Sequence, residues 1–263
     1  MDLKLSGKVA VVLAGSAGIG RGVAEVLAQE GCDIAICSRS KKKLLATTDL
    51  LRNKYGAEVF SQPVDISNAE ELNKFFKNVI NHFGAIDILI NNTGGPKTGK
   101  TTELSDTEYG VAYELVLMSK VRACRFVIPY MVQNGYGRII NIESTSVKCV
   151  MDNMTLSNIF RSASAAFSKT LSREVVQHGI RVHTIMSGPM MTDRATELGE
   201  IAAKNEGITF EQWKQKAQSS TPMERFGDPL EFGNFAAFLA SDKSDYMTGT
   251  CIAFDGGILT TVT

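Results

Sequence analysis

Val9-Ala10-Val11-Val12-Leu13 runs straight into Ala14-Gly15-Ser16-Ala17-Gly18-Ile19-Gly20, and a helical pattern follows from Arg21. The first five residues are apolar without in/out alternation, which suits a strand covered on both faces. The glycines let the backbone turn tightly and approach a pyrophosphate at the positive end of the next helix. Gly15, Ser16, Gly18, Ile19 and Gly20 are therefore candidate binding residues. The bland alternative is a tight strand–helix turn with no ligand.

Outward from this turn, short apolar runs alternate with longer helical patterns. Asp33–Cys37, Glu58–Ser61, Ile86–Ile90, Arg138–Ile142, Arg181–Met186 and Cys251–Phe254 read as further strands. Arg21–Glu30, Asn68–Phe83 and Ser162–His178 read as helices, the last with a stripe of Ala163, Ala166, Phe167, Thr170 and Leu171. Such alternation implies βαβ units and a parallel sheet. The expected fold is α/β: one Rossmann-like, doubly wound parallel sheet with helices on both faces. No repeat or Pro/Gly-rich linker divides residues 1–263, so a single dinucleotide-binding domain is expected. Met190–Arg225 stands outside the alternation and reads as short helices in an insertion that shapes the substrate pocket.

Composition narrows the function classes. Lys+Arg 28 balances Asp+Glu 28, which argues against nucleic acid or an anionic membrane as the main partner. No apolar run approaches the ~20 residues needed to cross a bilayer, and the first ten residues lack a secretory signal's apolar stretch. Five scattered cysteines without a C-x-x-C, beside three histidines, give no metal-ligand cluster. Reduced thiols in a cytoplasmic protein are expected, and no metal site.

Further landmarks follow the strands in order. They are Asp65-Ile66, Asn91-Asn92-Thr93-Gly94, Ser144, Gly188 with Thr192, Arg225-Phe226-Gly227, Tyr246-Met247-Thr248-Gly249 and Asp255-Gly256-Gly257. With the Gly-rich turn, this layout resembles the short-chain dehydrogenase/reductase family, and within it the β-ketoacyl carrier-protein reductases. The resemblance covers nearly the whole chain. It implies a nicotinamide cofactor held by Gly15, Ser16, Gly18, Ile19, Gly20, Asp65, Ile66, Asn91, Thr93, Gly94, Gly188 and Thr192. It departs at Leu13-Ala14, where the family has Thr-Gly, and at Thr93 and Ser187, where the family has alanine and proline.

The second strand ends Cys37-Ser38-Arg39. An acid there would bind the 2′-hydroxyl of NAD; an arginine beside it suits a 2′-phosphate. Ser38, Arg39 and the following Lys41–Lys43 favour NADP over NAD. A solvated basic helix start is the alternative.

The catalytic set departs further. The resemblance implies a serine that polarises a carbonyl, a tyrosine that moves the proton, a lysine four residues later and a relay asparagine. Ser144 occupies the serine position, but the tyrosine, lysine and asparagine positions hold Ser157, Arg161 and Val116. None of the six tyrosines is followed four residues later by lysine. Ser157 and Arg161 share a helix face and are expected to line the cofactor, with Arg161 holding the nicotinamide ribose. Glu143, Lys148 and Asp152 are read as solvated loop charges near Ser144, Tyr109 and Tyr113 as packing residues, and His183 as a core histidine.

The expected function is oxidoreduction of a small-molecule carbonyl or alcohol with NADP, by the altered set Ser144, Ser157 and Arg161. The rival is a dinucleotide-binding protein without turnover, a sensor or subunit partner. The apolar segment Tyr113–Met131 and the resemblance imply a homodimer or homotetramer.

Overall fold

Seven parallel strands in the order β3-β2-β1-β4-β5-β6-β7 form the centre of the computed structural model, which describes residues 1–261. The strands are β1 (Val9–Val12), β2 (Asp33–Ser38), β3 (Val59–Pro63), β4 (Ile88–Asn91), β5 (Gly137–Ser144), β6 (Ile180–Ser187) and β7 (Thr250–Phe254). All seven expected strands are present, with no end displaced by more than two residues. Along β1, Ala10 and Val12 face one core while Val11 and Leu13 face the other. That alternation, apolar on both sides, is why the sequence run looked continuous.

Helices α1 (Gly18–Gln29), α2 (Lys41–Tyr55) and α9 (Pro229–Ala240) cover one face. The other face carries α3 (Ala69–Phe83), α5 (Ser119–Asn134) and α6 (Thr155–Val175). Local chemistry sets their ends: Asn68 caps α3 by accepting from Glu70 and Glu71 N–H, and Gly84 closes it in the left-handed region. Gly22 lets α1 meet α9, because a Cβ there would stand 2.4 Å from the Pro229 carbonyl oxygen. The short helix α4 (Asp106–Ala112) continues through a π-helical turn, Tyr113–Met118, into α5.

Two expectations need correction. The buried face of α6 is not the alanine and phenylalanine stripe. Its buried residues are Leu156, Ser157, Ser164, Ser168, Leu171, Ser172 and Val175; of the expected stripe only Leu171 is buried and Phe167 packs partly on the core, while Ala166 and Thr170 are exposed. Serine is small enough to bring the helix close to the sheet, and its hydroxyl can bond the preceding turn: Ser168 Oγ donates to the Ser164 carbonyl at 2.8 Å. Tyr113 fills the packing role expected of it only in part: it is 41% exposed, with its ring centroid 6.1 Å from that of Phe160. Within 190–225 lie α7 (Asp193–Glu206) and α8 (Phe210–Ser219). His183 is fully buried, with Nδ1 2.7 Å from the Thr250 hydroxyl.

Candidate active site

The chain reverses direction across the sheet between β1 and β4, so the loops after these strands part and leave a crevice. One cleft at that point is lined by Ser16 and Ala17 after β1, Ser38 and Arg39 at the end of β2, Asp65 and Ile66 after β3, and Gly94 and Gly95 after β4. Leu115 and Arg194 close its far side. Six sequence-predicted residues thus meet in one cleft, although four separate strand ends supply them. Thr47 of α2 holds the first loop by donating from Oγ1 to the Ser16 carbonyl at 3.1 Å.

The turn itself leaves little room for side chains. A Cβ on Gly20 would stand 2.5 Å from the Ala14 carbonyl oxygen, and one on Gly15 would stand 2.8 Å from Ile36. Ala14 sits at φ 48°, in the region that favours glycine. α1 starts without a side-chain cap, so its first N–H groups stay open to an anion. Beside Gly94 a Cβ would meet nothing within 4 Å. A cradle with uncapped donors and open space fits a dinucleotide diphosphate.

Burial raises the Asp65 carboxyl, but hydrogen bonds from Ser67 Oγ (2.6 Å) and N (3.0 Å), with the Arg39 charge, outweigh it. The net effect holds Asp65 below the usual carboxylate range. It stays an anionic acceptor at neutral pH. Arg39 itself is exposed at the cleft.

Other predicted residues sit differently. The Asn91 side chain turns into the core, donating to Asn141 Oδ1 at 2.8 Å, and the residue is wholly buried. Its neighbour Asn92, which sequence reading did not single out, donates to the Ala14 carbonyl at 3.2 Å and pins the Gly-rich turn. Thr93 Oγ1 is buried without a partner among the described residues. Thr192 caps α7 by accepting from Ala195 N–H at 3.2 Å, and its methyl approaches Gly18. Gly188 packs against Asp255, where a Cβ would stand 2.5 Å from the Asp255 Cα. Lys43 and Asp193 pair at 2.8 Å, joining α2 to the start of α7.

At the end of β5, Ser144 lies beside Ser187 in the strand register, and its Oγ accepts from Ser146 N–H at 3.2 Å. Ser157 corrects the expectation that it lines the cofactor: it is only 2% exposed, with its hydroxyl 3.2 Å from that of Ser146. Glu143 is a second correction. It is no solvated loop charge but wholly buried on β5, because its strand position points it between α5 and α6. There it pairs with Lys120 of α5 and, at 3.1 Å, with Arg161 Nη1 of α6. Both cations also donate to the Ile142 carbonyl, Lys120 at 3.2 Å and Arg161 at 3.4 Å. Burial pulls the Lys120 ammonium below its ordinary range, although Glu143 opposes the shift. Lys148 and Asp152 are exposed, as expected.

A family model described as enoyl-(acyl carrier protein) reductase matches residues 13–259. The chain belongs to the short-chain dehydrogenase/reductase family. This family member is 28% identical over 98% of its length, and the whole of the relative, to a 3-oxoacyl-(acyl-carrier-protein) reductase of Aquifex aeolicus. It is 32% identical, over 97% of itself and 92% of the relative, to an uncharacterised oxidoreductase, YxbG, of Bacillus subtilis. Its fold superposes with a TM-score of 0.97 and 33% identity on L-sorbose reductase from Gluconobacter frateurii, solved with NADPH and L-sorbose, over 100% of both chains. Actinorhodin polyketide ketoreductase with NADPH superposes at 0.92 and 26% identity, over 97% of this chain and 98% of that one. As a short-chain dehydrogenase/reductase, the chain is an oxidoreductase. In it the Lys120–Glu143–Arg161 cluster stands directly beneath the Ser144 position. Sequence reading missed Lys120, which stands beside Ser119, Arg122 and Arg125 and carries no local pattern that marks it as buried.

Proposed function

We propose that this protein reduces a small carbonyl compound with NADPH, binding the cofactor along the crevice and the substrate beside Ser144. The observation that carries the reading is the single cleft in which the Gly-rich turn, Ser38, Arg39 and Asp65 converge. The glycine turn and the start of α1 hold the diphosphate. Arg39 faces the 2′-phosphate, with Ser38 leaving room where an acid would repel it. Bound there, NADPH supplies the hydride.

The chain's own residues handle the oxygen. Ser144 Oγ already accepts from Ser146, which leaves its O–H to donate to a carbonyl oxygen. Arg161 places a permanent cation near the same strand end. Ser157 acts through Ser146, not on the substrate directly. Without a tyrosine acid, turnover is expected to run about 10²–10⁴-fold below that of a comparable site that has one.

The reading includes a cytoplasmic homodimer or homotetramer. All five cysteines are unpaired, in keeping with a reducing compartment. No helix among the described residues is long and apolar enough to cross a membrane. The cofactor assignment is tested by calorimetric titration of NADPH and NADH into wild type and Arg39→Ala. The substitution should cost NADPH about 1.5–3 kcal/mol, the scale of a charge-assisted contact, and leave NADH unchanged. Equal affinities for the two cofactors in wild type would remove the NADPH reading.

A further inference from the structure

A wholly buried lysine and glutamate are costly to keep. Each loses its hydration, and such a pair is commonly no more stabilising than apolar residues of the same size. Lys120 and Glu143 are both 0% exposed, and the third member, Arg161, is 11% exposed. Arg161 is thus the only one of the three whose side chain reaches solvent. Both cations donate to the Ile142 carbonyl and the Glu143 carboxylate, on the last two residues before Ser144.

Charge counting gives the cluster a purpose. Arg161 alone would be a long, mobile cation. Glu143 fixes its guanidinium but cancels its charge. Lys120 cancels Glu143 in turn. The three together carry one positive charge, and it is presented by an arginine held in a single orientation. The groups that face Lys120 are Glu143 from β5, Arg161 from α6 and Cys124 from its own helix.

Resting on the NADPH-reductase reading above, we propose that Lys120 and Glu143 are positioning residues that keep Arg161 fixed and the strand end singly positive. That charge disfavours the cationic oxidised nicotinamide relative to the neutral reduced one. It also favours the alkoxide formed when hydride adds to a carbonyl carbon. Bound NADPH would supply the hydride, with its two electrons, to the carbonyl carbon; the carbon–oxygen π pair then rests on oxygen, and that oxygen takes a proton from the Ser144 hydroxyl, which solvent restores. The buried cluster biases the site towards reduction.

The experiment measures NADPH and NADP⁺ affinity, reductase kcat and thermal unfolding for wild type, Lys120→Met, Glu143→Gln and the double variant. Lys120→Met makes the cluster neutral. It should shift the NADP⁺/NADPH affinity ratio about tenfold towards NADP⁺, the scale of one charge acting over about a nanometre in a protein dielectric, and lower kcat. Glu143→Gln should move the ratio the opposite way. The double variant restores one positive charge without the anchor, so its ratio should return to that of wild type while kcat stays low. If Lys120→Met fails to fold, the double variant alone decides: a wild-type kcat there overturns the proposal. A ratio unchanged in every folded variant would also overturn it and leave the pair purely structural. Failure of wild type to bind NADPH would instead remove the functional reading itself.

Discussion

Ala14 holds a backbone conformation at φ 48° that costs an L-residue about 1–2 kcal/mol. The family places glycine there, and the sequence showed the exchange but not its backbone consequence. Glycine would relieve the strain, offset in part by the roughly 0.4–1 kcal/mol that its freer unfolded chain costs. Ala14→Gly should therefore stabilise the protein by ~1 kcal/mol in urea unfolding; a destabilised variant would mean the turn is not strained. The same scale explains what the sequence hid at Glu143. A carboxylate next to a serine at a strand end looks like a loop charge, and only its alternation along β5 turns it inward onto Lys120 and Arg161. Those partners are 23 and 18 residues away in the chain, beyond any local pattern.

Elements were more legible than residues. The strands were found because apolar runs between turns are short and dense, and the sheet order follows from βαβ connections. Helix α6 was placed correctly yet faced wrongly, because its buried serines read as polar. The cofactor loops were legible since each directly follows a strand. The catalytic end was less so, as Ser157 is covered by a loop residue, Ser146. α4, the π-helical turn, α5 and α6 also leave Val111, Tyr113, Val132 and Ile159 from 37% to 60% exposed. Tyr113 packs near Phe160 of α6, which carries the apolar surface from one helix to the next. Exposed apolar area of this kind marks association. Light scattering at micromolar concentration should give two or four times 28.5 kDa, and Ile159→Lys should shift the mass towards one chain. A wild-type monomer would contradict the assembly.

Across the whole molecule, His183 links stability to pH. Burial, with Arg138 and Arg181 nearby, lowers its pKa from 6.5 to about 4. The folded protein therefore binds this proton less readily than the unfolded chain. Its contribution is fully present above pH 6.5 and is lost as pH falls towards 4, by roughly 3 kcal/mol in total. Unfolding free energies of wild type and His183→Asn should converge over that interval as pH falls. Parallel curves would show that His183 does not carry the linkage.

The charge balance, the parallel sheet and the crevice at its switch point all serve one account, a reductase whose tyrosine acid is absent but whose cofactor cleft and Ser144 remain. Its most direct test is NADPH oxidation by wild type and Ser144→Ala over a panel of aldehydes and ketones, with NADPH affinity measured separately by fluorescence titration. The account predicts saturable NADPH binding by both proteins and turnover of at least one carbonyl by wild type. Removing the serine should lower kcat about 10²–10³-fold, as losing one donor to a developing oxyanion does. NADPH bound tightly but never consumed, or a Ser144→Ala variant as fast as wild type, would contradict it.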